Sequence, residues 1–178
     1  MNFKIGCIPG DGIGPEIVRE ARKVLDAVGK KYGHEFDYSE IDMGGCSIDK
    51  YGVPLTDEAI EGARKSDAVL MGSIGGDPNT SPWYKLPPDK RPEAGLLGLR
   101  KALGLFANLR PAFVYEELVD CSPMKRNIVE NVDIMIIREL TGDVYFGEPK
   151  GITTKTLLDG REVKVGFNNM IYDEDEVR

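Results

Sequence analysis

The chain has 178 residues, of which 41% are hydrophobic, so it can bury the core of one domain or of one domain and a part. Lys and Arg number 23 against 30 Asp and Glu, and the formal net charge of −7 provides no positive field that would attract a nucleic acid or an anionic membrane. Three widely spaced cysteines and one histidine exclude a disulfide framework and a histidine-based zinc site, and without a leader segment or an apolar run of ~18 residues we expect a cytoplasmic protein.

The first hundred residues alternate between strand and helix patterns. Strands are predicted at 3–8, 35–41 and 68–73, and helices at 15–31, after the capping residue Thr56, and at 93–103. Strands that alternate with helices predict an α/β sheet with helices on both of its faces. Between the last strand and the last helix, five prolines at 75–92 predict a long structureless loop, and such loops are usually functional.

The remaining residues are predicted to form further strands, one helix and a hairpin. The predicted elements are strands at 106–115 and 134–140, a helix from Ser122 to about Val132, and a hairpin at 156–165 around Asp159 and Gly160. The acidic residues of 173–178 are typical of a helix start, yet the chain stops within that turn. An isolated helix so short is unstable in water, so we expect either a frayed tail or a truncated sequence.

A glycine-rich turn follows the first predicted strand. Residues 10–16 read Gly-Asp-Gly-Ile-Gly-Pro-Glu, and glycines at such a place let backbone N–H groups approach a pyrophosphate in Rossmann proteins. The third glycine of the G-x-G-x-x-G fingerprint would fall on Pro15, however. The spacing therefore favours a plain glycine-rich turn over a dinucleotide fingerprint.

Three arginines lie beside apolar residues. Alternation along the predicted strand 134–140 places Arg138 on the same face as Ile134 and Ile136. If that face is buried, the guanidinium needs an anion, which is either an internal carboxylate or an anionic ligand. A single arginine such as Arg100 or Arg110 is more often a surface residue whose stem covers apolar surface, but three together favour a carboxylate-binding site.

Five segments resemble the isocitrate/isopropylmalate β-decarboxylating dehydrogenase family. They are residues 10–16, 72–76, 91–100, 106–111 and 138–148, and the likeness runs from residue 3 to the last residue. The resemblance implies the family's isopropylmalate dehydrogenase-like α/β fold, which is non-Rossmann and has helices on both faces of its sheet, truncated here to the amino-terminal half. Residues 1–99 would begin the first, cofactor-side domain, and residues 100–178 would begin the second, with the hairpin as a dimer arm.

The resemblance also implies roles for single residues. Arg100, Arg110 and Arg138 match the arginines that bind the two carboxylates of the malate group. Tyr145, whose glycine-flanked turn alone would favour a core aromatic, matches the tyrosine that assists proton delivery after decarboxylation. The residues expected along NAD are Gly76, Asp77, Pro78, Trp83, Leu86, Pro87 and Glu93, with Glu93 near the nicotinamide. The stretch 77–83 is a few residues longer than the common family form.

The implied reaction is an oxidative decarboxylation that needs NAD and a divalent metal, Mg²⁺ or Mn²⁺. In the family, the general-base lysine and the metal-binding aspartates belong to the carboxy-terminal half, so we expect no metal ligand in this chain. The full-length protein is expected to be a homodimer, and neither a nucleic acid nor a membrane is expected as a partner.

The residues of one predicted helix indicate the substrate. Residues 95–98 read Gly-Leu-Leu-Gly, and Leu96 is expected to line the pocket for the group at C3 of the substrate. Apolar walls favour 3-isopropylmalate over isocitrate, because burying polar groups without partners costs ~1–3 kcal/mol each. The alternatives are an isocitrate-, homoisocitrate- or tartrate-type dehydrogenase of the same family, and a catalytically inactive half-length binding protein.

Overall fold

The structure is a computed structural model that describes residues 1–140, 142 and 147–177. The chain divides into two compact units, Met1–Leu103 and Gly104–Arg178. This division falls just after the predicted boundary at 99/100, which lies inside a helix. That the units are the family's two domains stays a prediction.

The first unit is built on a three-stranded parallel sheet in the order β2-β1-β3. Its strands are β1 (Asn2–Gly10), β2 (Glu35–Glu40) and β3 (Ala68–Ser73). Its helices are α1 (Gly14–Tyr32), α2 (Gly45–Tyr51), α3 (Asp57–Arg64) and α4 (Pro92–Ala102). The three predicted strands and the three predicted helices are all present, so these predictions are confirmed. Helix α2 is the element that the sequence patterns did not predict.

Helices cover both faces of this sheet, as predicted. On one face, α1 places the guanidinium of Arg22 over the ring of Tyr38 in β2, with Cζ 4.4 Å from the ring centroid. On the other face, α3 and α4 pack against Ile8 of β1. The buried cluster on that side consists of Ile8, Ile41, Met43, Ala59, Ala63 and Leu99. The centre of the unit is therefore an apolar core between the sheet and two helices.

Local capping explains where two of these helices begin or end. The hydroxyl of Thr56 accepts a hydrogen bond from the backbone N–H of Ala59 at 3.1 Å, so Thr56 is the N-cap of α3, as predicted. Helix α1 ends at Gly33, which has φ +70° and donates its N–H to the carbonyl of Gly29. Glycine reaches this left-handed conformation without strain, which lets the chain turn into β2.

The second unit consists of two separate antiparallel ribbons and short helical pieces. Its strands are β4 (Ala107–Phe113), β5 (Asp133–Glu139), β6 (Gly151–Thr156) and β7 (Glu162–Phe167), and its helices are α5 (Arg126–Val129) and α6 (Glu174–Val177). β4 pairs with β5, and β6 pairs with β7 to form the predicted hairpin. In α6, the Asp173 carboxylate accepts from two backbone N–H groups and Glu176 accepts from the N–H of Asp173, which is a capping box.

Two local predictions are wrong. The loop at 75–92 is not structureless, because prolines begin two short 3₁₀ turns, Pro82–Lys85 and Pro88–Lys90. The helix predicted from Ser122 to Val132 is only the four residues of α5. Its first flanking residue, Lys125, is extended, and Asn131 has φ +66°, so the helical conformation cannot continue at either end. A 3₁₀ helix, Glu116–Cys121, precedes it.

The face of β5 that carries Arg138 is largely exposed. Arg138 itself is half-buried, but Ile134 and Ile136 on its face of the strand are 53% and 51% exposed. The condition of a buried face is therefore not met among the described residues, in which β4 is the strand that pairs with β5. Within the described ranges, no helix combines the length and the apolar character that crossing a membrane requires.

Candidate functional site

Asp11 is the carboxylate at which three segments meet at the carboxyl end of the parallel sheet. It is only 4% exposed. Its Oδ2 accepts from the backbone N–H groups of Gly45 and Gly75, and its Oδ1 accepts from the N–H of Cys46, each at 2.8 Å. The side chain thus ties the turn after β1 to the start of α2 and to the loop after β3. Nothing in the local pattern indicated this role for Asp11, although it is the one carboxylate between the glycines of that turn.

The backbone of the same turn lies directly against the end of β3. Asp11 donates its N–H to the carbonyl of Ser73 at 2.7 Å, and the Ser73 hydroxyl donates to the Asp11 carbonyl at 2.8 Å. A Cβ at Gly14 would lie 2.0 Å from the carbonyl oxygen of Pro9, so a larger residue does not fit there. The glycines of the turn allow this close packing.

The loop that leaves β3 is held against α2 by Trp83. Its indole N–H donates to Asp49 at 2.8 Å, and a Cβ at Gly45 would lie 2.3 Å from the indole ring. Asp77 closes a tight turn earlier in the loop, where its Oδ1 accepts from the backbone N–H of Asn79 at 2.8 Å. Gly76 is exposed, and a Cβ on it would lie 3.4 Å from the Trp83 ring.

Tyr84 and Glu93 form a hydrogen-bonded pair where the same loop reaches α4. The Tyr84 hydroxyl donates to Oε1 of Glu93, and this bond raises the pKa of Tyr84 above its ordinary value. The guanidinium of Arg91 lies over the Tyr84 ring, 5.9 Å from its centroid, and Nε of Arg91 donates to the Leu86 carbonyl at 3.0 Å. Side chains therefore order the end of the loop. Among the cofactor residues expected in it, Gly76, Asp77, Pro78 and Pro87 are exposed, and Trp83 and Leu86 are half-buried.

Helix α4 places three of the predicted site residues along one face. Glu93 is at its second position, Leu96 follows three residues later and Arg100 four residues after that. A separation of seven residues spans about 10 Å along a helix. Leu96 and Arg100 are half-buried, and Leu96 packs against the core cluster at the edge of this face. The adjoining side of α4 is buried through Pro92, Gly95 and Leu99.

The register of the β4–β5 ribbon brings the other two arginines together. Arg110 is opposite Ile136 and Arg138 is opposite Asn108. Opposed residues share a face and alternate residues of a strand return to it, so Asn108, Arg110 and Arg138 lie on the same face. Diagonal neighbours of this kind are ~7–8 Å apart in an antiparallel pair. This face therefore carries two guanidinium groups within reach of one small dianion.

Comparison with known proteins decides the family. The sequence profile of the family described as Isocitrate/isopropylmalate dehydrogenase matches residues 4–178. The chain belongs to this isocitrate/isopropylmalate dehydrogenase family. The resemblance read from the motifs is thereby confirmed.

Relatives within the family support a narrower likeness. The chain is 53% identical to a 3-isopropylmalate dehydrogenase of Nitratidesulfovibrio vulgaris over 100% of this chain and 48% of that protein. It is 50% identical to one of Wolinella succinogenes over 98% of this chain and 45% of that protein. The chain thus spans about half the length of the curated relatives it matches, in their amino-terminal half.

A solved member of the family has the same fold. The crystal structure of isocitrate dehydrogenase from Methylococcus capsulatus matches with a TM-score of 0.68 and 25% identity, over 98% of this chain and 44% of that chain. The predicted isopropylmalate dehydrogenase-like α/β fold is confirmed, and the chain covers under half of the neighbour.

The residues of the first unit fit an extended cofactor better than they fit a metal. Family members that bind a dinucleotide need backbone that a ligand can approach, and a Cβ at Gly12 would have no atom within 4 Å. The exposed Gly76 offers such backbone as well, and its neighbour Gly75 lies against the carboxylate of Glu93. In contrast, no group of three His, Cys, Asp or Glu side chains that could hold a metal occurs among residues 1–140, 142 and 147–177. We therefore assign no step to a metal in this chain.

Tyr145, the predicted proton donor, lies outside the described residues.

Proposed function

We propose that the full-length protein containing this chain oxidises and decarboxylates 3-isopropylmalate in leucine biosynthesis. The observation that carries the proposal is the β4–β5 register, which puts Arg110 and Arg138 on one face. A malate group has two carboxylates, and an arginine binds a carboxylate through two parallel hydrogen bonds. Relatives at about 50% identity that are 3-isopropylmalate dehydrogenases support the choice of substrate within the family.

Each proposed substrate residue has a separate task. Arg110 and Arg138 hold carboxylate oxygens, and Arg100 on α4 adds a third guanidinium. A guanidinium that binds the departing carboxylate stabilises its negative charge and so opposes the loss of CO₂. A guanidinium that binds the carboxylate kept in the product opposes that loss less. Leu96 lines the space for the isopropyl group at C3. Tyr145 supplies a proton to C3 after the bond to CO₂ breaks.

NAD and the divalent metal, Mg²⁺ or Mn²⁺, complete the proposal. Bound NAD would supply the acceptor for the hydride that leaves C2. The proposed contacts with it come from Gly76, Asp77, Pro78, Trp83, Leu86, Pro87 and Glu93. The tight turn at Asp77 and the contact of Trp83 with α2 support a loop ordered before the cofactor arrives. The metal ligands are proposed to lie in the carboxy-terminal half found in the relatives.

We also propose a cytoplasmic homodimer. Every residue of β6 is exposed, and Ile152 is 75% exposed. A two-stranded ribbon is marginally stable by itself, which supports pairing of this hairpin with a second copy of the chain. The three cysteines are free thiols, as proteins of a reducing compartment usually have.

The test compares substrates in the full-length protein. NADH absorbance is followed with 3-isopropylmalate, isocitrate and malate in the presence of NAD and Mg²⁺. We expect the highest kcat/KM for 3-isopropylmalate, and Leu96→Ser should reduce its preference over malate by ~10-fold, since one apolar wall is worth ~1–3 kcal/mol. Tyr145→Phe should lower kcat by ~10²-fold while the melting temperature stays unchanged. A higher kcat/KM for isocitrate would contradict the proposal.

A further inference from the structure

The carboxylate of Glu93 and the hydroxyl of Tyr84 meet above the backbone of Gly75. A Cβ at Gly75 would lie 2.9 Å from both Oε1 of Glu93 and the Tyr84 hydroxyl oxygen. Gly75 has φ +99°, a conformation that residues with a side chain rarely adopt. Its N–H is bound by Asp11, so the strip of backbone under the pair is itself fixed. The chain thus provides a defined position for Oε1 of Glu93.

The hydrogen bond to Tyr84 fixes the rotamer of an otherwise exposed Glu93 side chain. It is an exposed residue at the second position of α4. Within the described residues, Tyr84 is the side chain that hydrogen-bonds to it. An exposed glutamate has several rotatable bonds, and a ligand that needs one rotamer loses affinity to that ordering.

The position of Tyr84 is fixed by its own neighbours. Its backbone is part of the 3₁₀ turn Pro82–Lys85, next to Trp83, which is fixed on α2. The Arg91 guanidinium over its ring is anchored in turn at the Leu86 carbonyl. The hydroxyl that reaches Glu93 therefore comes from an ordered side chain rather than from a second mobile one.

We propose that Tyr84 is a positioning residue that holds the Glu93 carboxylate ready for the nicotinamide side of NAD. This inference rests on the proposed function. Tyr84 occupies Oε1 and leaves Oε2 of Glu93 to accept from the ligand. Because the pair is formed before the ligand binds, the contribution of Tyr84 is to NAD affinity and not to the chemical step.

The test uses Tyr84→Phe in the full-length protein, which removes the hydroxyl and keeps the ring under Arg91. We expect the dissociation constant of NAD, measured by calorimetry, to rise about tenfold, as loss of one hydrogen bond to a charged group predicts. KM for NAD should rise equally, while kcat at saturating NAD and the melting temperature stay as in the wild type. The matched control is Tyr38→Phe, which removes a tyrosine hydroxyl that donates to Asp26 at 2.8 Å on the α1 side of the sheet. It should leave NAD binding unchanged.

A double variant separates positioning from a direct contact of Tyr84 with the cofactor. In a Glu93→Ala background, Tyr84→Phe should cause no further loss of NAD affinity, because the group that it positions is already gone. Wild-type affinity in Tyr84→Phe, or a loss that persists in the Glu93→Ala background, would overturn the inference. If the wild type turns over 3-isopropylmalate with NAD in either of these cases, only the positioning role fails. A wild type that binds no NAD would instead end the proposed function together with this inference.

Discussion

The two units of the chain differ in how far they bury their apolar residues. In Met1–Leu103, a sheet with helices on both faces buries Ile8, Met43 and their neighbours completely or nearly so. In Gly104–Arg178, only Val119 and Val129 are buried hydrophobic residues among those that the structure describes. The strand β5 there has four consecutive apolar residues that are each about half exposed or more.

The two units therefore differ in where the cover for their apolar strands comes from. A continuous apolar strand is typical of a sheet covered on both faces, so the residues of β5 suit a buried environment. The first unit supplies such cover from its own helices, whereas the described residues of the second unit do not. We infer that the second unit completes its core with chain outside these 178 residues, and that the first unit has most of its core already.

The largest expected effect comes from truncating one isoleucine in each unit. Ile8→Ala should lower the free energy of unfolding by ~2–5 kcal/mol, because Ile8 is fully buried and a cavity remains. Ile136→Ala should cost less than about 1 kcal/mol in the 178-residue chain, since half of its surface is already in water. Urea unfolding of the two variants measures both values. Equal losses would break the comparison between the units.

Arg138 tests whether the exposed ribbon has a ligand-binding role. Arg138→Lys in the full-length protein keeps the charge but loses the planar donor pair, so KM for 3-isopropylmalate should rise by about tenfold. The melting temperature should stay the same. Steady-state kinetics at saturating NAD give the result. Normal kinetics, combined with unfolding of Arg138→Ala, would instead make Arg138 a structural ion-pair partner.

The first unit was the more predictable one, because its signals are local. Pro15 at the start of α1, Thr56 at the cap of α3 and the apolar run of β3 each act within a few residues. Helix α2 lacked such a signal, because its start on Gly44 and Gly45 is held by the carboxylate of Asp11, 34 residues away from Gly45. A contact over that distance leaves no trace in a local pattern.

The candidate site also has features that the sequence predicted and features that only the structure shows. The motif resemblance identified Arg110 and Arg138, and the antiparallel register, which is not visible in the sequence, supplied the fact that they share a face. Alternation placed Arg138 on one face with Ile134 and Ile136, but it left open whether that face is buried, because burial depends on what covers a strand. The role of Tyr84 in holding Glu93 is likewise a tertiary contact, and no spacing between the two residues indicated it.

Capping residues offer a smaller contrast between the units. Thr56→Ala should lower the free energy of unfolding by ~1 kcal/mol, because α3 loses its N-cap while Ala59 and Ala63 are packed in the core. Ser122→Ala is the matched change in the second unit, where the hydroxyl accepts from the N–H of Met124 at 3.1 Å in an exposed turn. It should cost only a few tenths of that value. A larger loss for Ser122→Ala would contradict the local stability assigned to α3.

The smallest effect concerns alkaline pH in the first unit. Burial, followed by the hydrogen bond to Asp26, raises the pKa of Tyr38 from its ordinary value of 10.0 to about 12. The folded state therefore binds this proton more tightly than the unfolded state. The resulting stability is fully present below pH 10 and is lost as the pH rises towards 12. Tyr38→Phe should flatten the fall in melting temperature over that range, whereas an identical fall would show that Tyr38 does not contribute.

The most direct test of the account is to supply the missing half separately. The 178-residue chain is mixed with the carboxy-terminal half of the Nitratidesulfovibrio vulgaris relative, and NADH absorbance is followed with 3-isopropylmalate, NAD and Mg²⁺. We expect no turnover from either half alone and measurable turnover from the mixture, with hydrogen exchange of the β5 amides slowing as the ribbon becomes covered. NADH production by the 178-residue chain alone, free of host enzyme, would contradict the account, because the base and the metal ligands would then have to lie within it.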